Sequence, residues 1–247
     1  MHPEHRALLE TLNSNAQARP SHGFDAQRYL GAELPVLNID APGLRAIAKA
    51  WVKTHKAAPP RDVLAVMDSL FGGASHTEKA LAAILLGYHH TARAAVTLAE
   101  LDQWLGRLVG WAEVDAFCSN VFTAEELLAD WPAWRGLIDQ LAGDPNINKR
   151  RAALVLLTGP VRYSGDARLS ALAFATIERL KAERPILITK AVSWLLRALT
   201  IRHKAEVAAY LDAQAASLPA IAVRETRTKL ATGRKSGKAQ SRAIIGR

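Results

Sequence analysis

The chain of 247 residues is 49% hydrophobic, which is enough for one large core or for a continuous core shared by repeats. Its single cysteine excludes an intramolecular disulfide, and no apolar run has the length of a signal peptide or a membrane span. The formal charge of +9 favours a polyanionic partner, and we expect a soluble, cytoplasmic protein.

Apolar residues recur at three- and four-residue spacing along the whole chain, whereas the strict alternation of strands is not sustained anywhere. In chain order, the clearest segments are LRAIAKAWVKTH, EKALAAILLGYHH, LAELDQWLGRLVG, KRRAALVLLTG, LSALAFATIERLKAE and ILITKAVSWLLRALTI. These segments are rich in the helix formers Ala and Leu, and Pro and Gly–Asp breaks separate them. The sequence therefore predicts an all-α fold.

The more polar helices are predicted to begin near residues 44, 79, 111, 149, 190 and 224, at a spacing of roughly 32–41 residues. This period is typical of HEAT-type helix pairs, which stack into a solenoid with one curved inner face. A globular bundle would explain the helices, but not the polar groups on one helix of each pair. We expect one HEAT-like domain over 1–233 and a flexible basic tail over 234–247.

The first predicted inner helix follows a loop that contains Asp40, Ala41 and Pro42. A helix N-terminus presents free N–H groups that can hold a phosphate. Arg45 and Lys49, four residues apart, add positive charge to this helix. Taken alone, this is a minor indication of DNA binding.

The stretch GWAEVDAFCSNVF places Trp111, Asp115, Cys118 and Phe122 on one side of a helix. A buried carboxylate is costly unless it is paired, so Asp115 predicts either a charged partner or an open cleft. The alternative is that Trp111 belongs to the core and that Asp115 forms a local salt bridge.

Two adjacent arginines follow in the stretch NINKRRAALVLLTG, where Asn146 or Asn148 can cap the helix. Arg150 and Arg151 point in different directions, so one should face solvent and the other the groove. Arg151 is then either a phosphate ligand or the charge partner of Asp115. Two surface arginines without a function are the alternative.

The stretch ITKAVSWLLRAL places Lys190, Trp194 and Arg197 on a single helical stripe. A line of cation, aromatic and cation suits a surface that follows a nucleic-acid backbone and stacks on sugar or base. Long side chains that extend from the edge of a core are the alternative.

Other chemistries have no support in the sequence. It contains neither a phosphate-binding GxxxxGK[ST] loop nor a dinucleotide glycine motif, and one cysteine excludes thiolate zinc sites. No HExxH or similar ligand spacing occurs, so we expect no metal and no cofactor.

Seven short segments carry a resemblance to a known family. They are YLG (29–31), Pro42-x-x-Arg45, EKALAAILL, WAEVD, KRRAAL, KAVSWLLR and RET, and they follow one another in the family's order over residues 25–233. The sequence thereby resembles the AlkD-like DNA alkylation repair family of HEAT-repeat DNA glycosylases. It departs from that family at Ala112, where a second aromatic is frequent, and at Ala41, where a threonine is frequent.

The resemblance implies a right-handed α-solenoid whose concave, basic groove binds duplex DNA. It implies excision of purines alkylated at N3 or N7, with Trp111, Asp115 and Trp194 at the active site. Together with the stripe on the later helix, it predicts a DNA-binding set of Arg151, Lys190, Arg197, Arg45 and Arg150. Such a solenoid needs no second copy, so we expect a monomer.

The residues agree with this chemistry. An alkylated purine is already cationic and leaves easily, so the difficult part is the sugar, which becomes oxocarbenium-like as the bond breaks. A fixed carboxylate stabilises that charge and orients water, and an indole adds cation–π attraction on the order of 0.5–2 kcal/mol. The alternatives are a non-catalytic HEAT-like module that recognises branched, bent or damaged DNA, and a protein-binding solenoid.

Overall fold

The computed structural model describes residues 1–16, 34–119 and 121–235, and every regular element within these ranges is a helix. The YLG segment and most of the basic tail, residues 236–247, lie outside the described residues. The helices are α1 (Pro3–Asn15), α2 (Ala41–Thr54), α3 (Pro60–Phe71), α4 (His76–Tyr88), α5 (His90–Ala94), α6 (Leu98–Leu105), α7 (Gly110–Cys118), α8 (Ala124–Ala129), α9 (Trp131–Ala142), α10 (Ile147–Tyr163), α11 (Ala167–Leu180), α12 (Ile186–Leu199), α13 (Lys204–Gln214) and α14 (Ala220–Thr232).

Six helices form an inner layer in which each packs on the next, in the order α2, α4, α7, α10, α12 and α14. These are the six helices whose starts the polar pattern predicted. Outer helices α3, α9, α11 and α13 each pack on the inner helix that follows them, whereas α6 packs on α9 and α10. The predicted all-α solenoid of helix pairs is confirmed, and the single globular bundle is not the fold.

Local sequence signals set where the inner helices begin. Asp40 accepts a hydrogen bond from the Gly43 backbone N–H, so α2 starts at Ala41, slightly before the predicted position. Ser75 caps α4 in the same way, and Asn146, one of two predicted caps, caps α10. The last two inner helices each follow a proline, which ends the preceding segment and cannot extend a helix backwards.

A chain of aromatic rings runs between the two layers near the middle of the solenoid. Phe71, Trp104 and Phe117 are at most 1% exposed, and the Phe71 ring centre lies 5.0 Å from that of Trp104 and 4.8 Å from that of Phe117. Phe122 continues the chain to Trp134 at 5.1 Å. Truncating one such ring typically costs about 3–5 kcal/mol, so this core holds α7 firmly against the outer layer.

Polar contacts cross each joint between consecutive inner helices from α4 onward. The pairs, in chain order, are Lys79–Glu113, Asp115–Arg151, Arg151–Leu187 and Ser193–Glu225. Buried polar groups fix the register of packed elements because a misplaced neighbour would leave them without partners. None of the described helices is long and apolar enough to cross a membrane.

Candidate active site

A cleft of about 630 Å³ opens along the inner layer, where α7, α10, α12 and α14 lie side by side. Its lining combines two indoles, two carboxylates, four cations and three aliphatic side chains. They are Trp111, Asp115, Arg151, Ile186, Leu187, Lys190, Trp194, Arg197, Ile221, Glu225 and Lys235. The cleft thus brings together Trp111, Asp115, Arg151, Lys190, Trp194 and Arg197, six of the eight site residues that the sequence predicted.

The short helix α7 delivers Trp111 and Asp115 to the cleft. Gly110 starts this helix with φ of 79°, a left-handed conformation that glycine adopts at little cost. Its N–H donates to Asn148 Oδ1 at 3.1 Å, which ties the start of α7 to α10. The helix ends at Cys118, which is 1% exposed and packs in the core. Phe122 also packs in the core but lies beyond the helix, so the predicted shared face extends only to Cys118.

Asp115 and Arg151 form a two-pronged ion pair between α7 and α10. Arg151 Nε donates to Asp115 Oδ1 at 2.9 Å, and Arg151 Nη2 donates to Oδ2 at 2.8 Å. Arg151 Nη1 donates to the backbone carbonyl of Leu187 in the first turn of α12. Arg151 is only 4% exposed. Of its two predicted roles, charge partner of Asp115 and phosphate ligand, this geometry fits the first.

Burial dominates the electrostatics of Asp115. Desolvation raises its pKa above the ordinary aspartate value, although the Arg151 hydrogen bonds and charge act to lower it. The same surroundings raise the pKa of the Cys118 thiol well above its usual range, mainly through burial and also through the negative charge of Asp115. Without Arg151, the pKa of Asp115 would therefore rise further.

The predicted stripe on α12 lines the opposite side of the cleft. Lys190 is exposed and forms no ion pair with any described residue. Trp194 is half-buried and packs against the core. Arg197 forms an ion pair with Glu225, with 3.2 Å between Nε and Oε2, and each of these side chains is 16% exposed. The Nε–H of Arg197 donates a hydrogen bond to Ser193 Oγ at 3.4 Å.

Two predicted DNA ligands lie outside the cleft. Arg45 is exposed on α2 and shares one face with Lys49 and Lys53, at four-residue spacing. Arg150 pairs through Nε and Nη2 with Glu183, and its Nη1 donates to two backbone carbonyls before α10. Contact between Arg150 and DNA would require these bonds to be released.

Sequence reasoning missed part of the cleft. Glu225 lies in the quoted RET segment, but no periodic pattern connects it with Arg197, which is 28 residues earlier in the sequence. Glu225 and Arg197 could have been placed together only from the order of the repeats, in which α14 lies next to α12. Ile186 and Ile221, which line the cleft beside Leu187, were also missed, because apolar residues at helix starts are typical of the core. Within the described ranges, no group of three potential metal ligands occurs.

Comparisons with known proteins agree with the fold and with the family that the sequence resembles. The family model of the DNA alkylation repair enzymes matches residues 8–230. A solved structure, described as a predicted DNA alkylation repair enzyme from Enterococcus faecalis, is similar with a TM-score of 0.69 and 18% identity, over 88% of this chain and 99% of that chain. At that identity, the likeness shows the fold alone. No curated protein matches the sequence significantly. Because the family match covers most of its length, the chain belongs to the DNA alkylation repair enzyme family and has a role in the repair of alkylation damage.

Proposed function

We propose that the protein is a monofunctional DNA glycosylase that excises cationic N3- or N7-alkylated purines from duplex DNA by hydrolysing the N-glycosidic bond. The observation that carries this proposal is the position of Asp115, whose carboxylate lines a cleft together with the indoles of Trp111 and Trp194. An anion in a cleft that also presents two indoles is complementary to a sugar that becomes positively charged as the base leaves.

Arg151 gives Asp115 the two properties that this role requires. The two-pronged bond fixes the plane of the carboxylate, so little reorganisation is needed during the reaction. The positive charge opposes the effect of burial on the pKa of Asp115, and the ionised form is the one that stabilises an oxocarbenium-like sugar. Each carboxylate oxygen carries about two lone-pair sites, so each can accept a further hydrogen bond from the attacking water.

The charges around the cleft suit a cationic lesion on an anionic backbone. Asp115 offsets Arg151, and Glu225 offsets Arg197, so the walls near the two indoles carry little net charge. Lys190 has no counter-charge among the described residues and is suited to a phosphate of duplex DNA. The exposed face of Arg45, Lys49 and Lys53 extends this positive charge to the start of the inner layer.

The proposed function also implies a binding partner and an oligomeric state. We expect duplex DNA with an alkylated purine to lie along the inner layer, and the chain to act as a monomer with one HEAT-like domain over 1–233.

A non-catalytic DNA-binding module, which would recognise bent, branched or damaged DNA, is the second candidate. One observation favours it: both oxygens of Asp115 already accept hydrogen bonds from Arg151, as they would in a purely structural ion pair. Such a module would bind duplex DNA in a salt-dependent way and would release no base.

Release of free base from methylated duplex DNA separates the two candidates. We expect the protein to release 7-methylguanine or 3-methyladenine, measured by chromatography, and Asp115→Asn to lower the rate by ~10²–10³-fold. The amide retains one acceptor for Arg151, and duplex affinity should change little. Asp212→Asn, the same substitution at an exposed position on α13, is the matched control. Undiminished release by folded Asp115→Asn, or no release by the wild type, contradicts the proposal.

A further inference from the structure

Arg197 is held on one edge only. Its Nε faces Glu225 Oε2 at 3.2 Å and Ser193 Oγ at 3.4 Å. Its two terminal nitrogens, Nη1 and Nη2, have no hydrogen-bond partner among the described residues, although the side chain is only 16% exposed and lines the cleft. Four N–H donors of a largely buried guanidinium are therefore available to a ligand.

The other two arginines near the cleft differ from Arg197 in this respect. Arg151 engages Nε, Nη1 and Nη2 with Asp115 and Leu187. Arg150 likewise engages all three nitrogens, with Glu183 and two backbone carbonyls. Protein groups therefore hold Arg197 at Nε, whereas Nη1 and Nη2 remain available among the described residues. A guanidinium in this state can bind a phosphate with two parallel hydrogen bonds.

Glu225 supplies the fixed edge and is itself held in place. It extends from α14, and its Oε2 also accepts a hydrogen bond from Ser193 Oγ at 2.7 Å. Its side chain is only 16% exposed. A carboxylate that served only as a surface charge would be more exposed to solvent. Burial acts to lower the pKa of Arg197, and the charge of Glu225 opposes this effect.

We propose that Glu225 is a positioning residue: it holds Arg197 by its Nε edge so that the two terminal nitrogens form a preset fork for a phosphate of duplex DNA. This rests on the proposed function only in that the cleft binds duplex DNA, and it does not depend on base release. The carboxylate costs some repulsion with the phosphate, but it removes the need to order a flexible arginine during binding.

A binding cycle on a labelled duplex without lesions tests this role, with Glu225→Ala, Arg197→Ala, the double variant and the wild type. We expect Glu225→Ala to weaken binding by roughly three- to tenfold. The slope of log Kd against log salt should fall by up to about 0.9, the value of one phosphate contact. In the Arg197→Ala background, Glu225→Ala should have no further effect on either quantity. Glu225→Gln keeps an acceptor for Nε and should fall between the wild type and Glu225→Ala.

Two results would overturn the proposal. Tighter binding by Glu225→Ala or Glu225→Gln would mean that the carboxylate only repels phosphate. Weaker binding that persists unchanged in the Arg197→Ala background would mean that Glu225 acts through the fold of α14. Thermal melting of each variant identifies a folding defect, and Glu225→Gln carries the test if Glu225→Ala does not fold. Because the duplex has no lesion, the cycle can be interpreted even if the protein releases no base.

Discussion

Replacing Arg151 with methionine isolates the counter-charge of the proposed catalytic carboxylate. The side chains of the Arg151–Asp115 pair are 5% and 16% exposed, and the variant leaves Asp115 without a charged partner. Removing one member of a buried pair typically costs about 3–5 kcal/mol. For a protein of this size, we expect a loss in Tm of about 6–20 °C at neutral pH.

The pH dependence of this loss has a definite sign. The pKa of Asp115 is raised in the folded protein, so the folded state holds this proton more tightly than the unfolded chain does. This contribution to stability is present below the ordinary aspartate pKa and is lost as the pH rises through the folded-state pKa. Without Arg151, the pH range in which protonated Asp115 stabilises the folded state extends to higher pH. The difference in free energy of unfolding between the wild type and Arg151→Met should therefore become smaller as the pH falls into this range.

Urea denaturation across that pH window measures the stability, and release of 7-methylguanine over the same pH values measures the activity. In the proposed mechanism base release needs the ionised carboxylate, so the acid limb of the pH–rate profile should move to higher pH in Arg151→Met. Arg150→Met is the matched control. Its pair with Glu183 is more exposed, at 20% and 24%, so it should cost about 1 kcal/mol and leave the acid limb unchanged. This role of Arg151 would be refuted if Arg151→Met lost the same free energy of unfolding at every pH and if the acid side of its pH–rate profile did not move.

Two further predictions concern the cleft cations and the cysteine. Lys190→Ala should weaken binding to an undamaged duplex and lower its salt slope by about 0.9, whereas Lys204→Ala, at an exposed position on α13, should change neither; equal slopes for the two variants in fluorescence anisotropy would contradict this. Cys118 is 1% exposed and its thiol pKa is well above its usual range, so iodoacetamide should alkylate it only after unfolding, as followed by mass spectrometry; rapid alkylation of the native protein would contradict its burial.

The architecture was predictable because its signals are local. Helix periodicity acts within a few residues, and prolines or caps such as Asp40 set the starts of five of the six inner helices, α7 being the exception. The pairing of Asp115 with Arg151 was one of two alternatives, since a buried carboxylate needs a partner but periodicity does not name it. The extent of α7 was predicted less well, because the chain turns after Cys118 to bring Phe122 against the outer layer.

The remaining parts of the site depend on contacts between repeats. Whether an arginine is free or engaged depends on residues more than thirty positions away, as for Arg150 with Glu183 and for Arg151 with Asp115. The sequence therefore placed Arg150, Arg151 and Arg197 in one class of DNA ligand. The structure separates them by the number of guanidinium nitrogens that are still unengaged.

The reach of Arg151 across three consecutive inner helices has a mechanical consequence. A solenoid has contacts mainly between neighbouring repeats, so it can flex where one repeat packs on the next. Arg151 belongs to α10 but grips Asp115 on α7 and the carbonyl of Leu187 on α12, so flexing either joint would break hydrogen bonds of a buried cation. The joints that α10 forms with α7 and with α12 should therefore resist bending. Duplexes of different curvature should be accommodated by the end that carries α2 and α4, while the distance between Asp115 and the α12 wall stays constant.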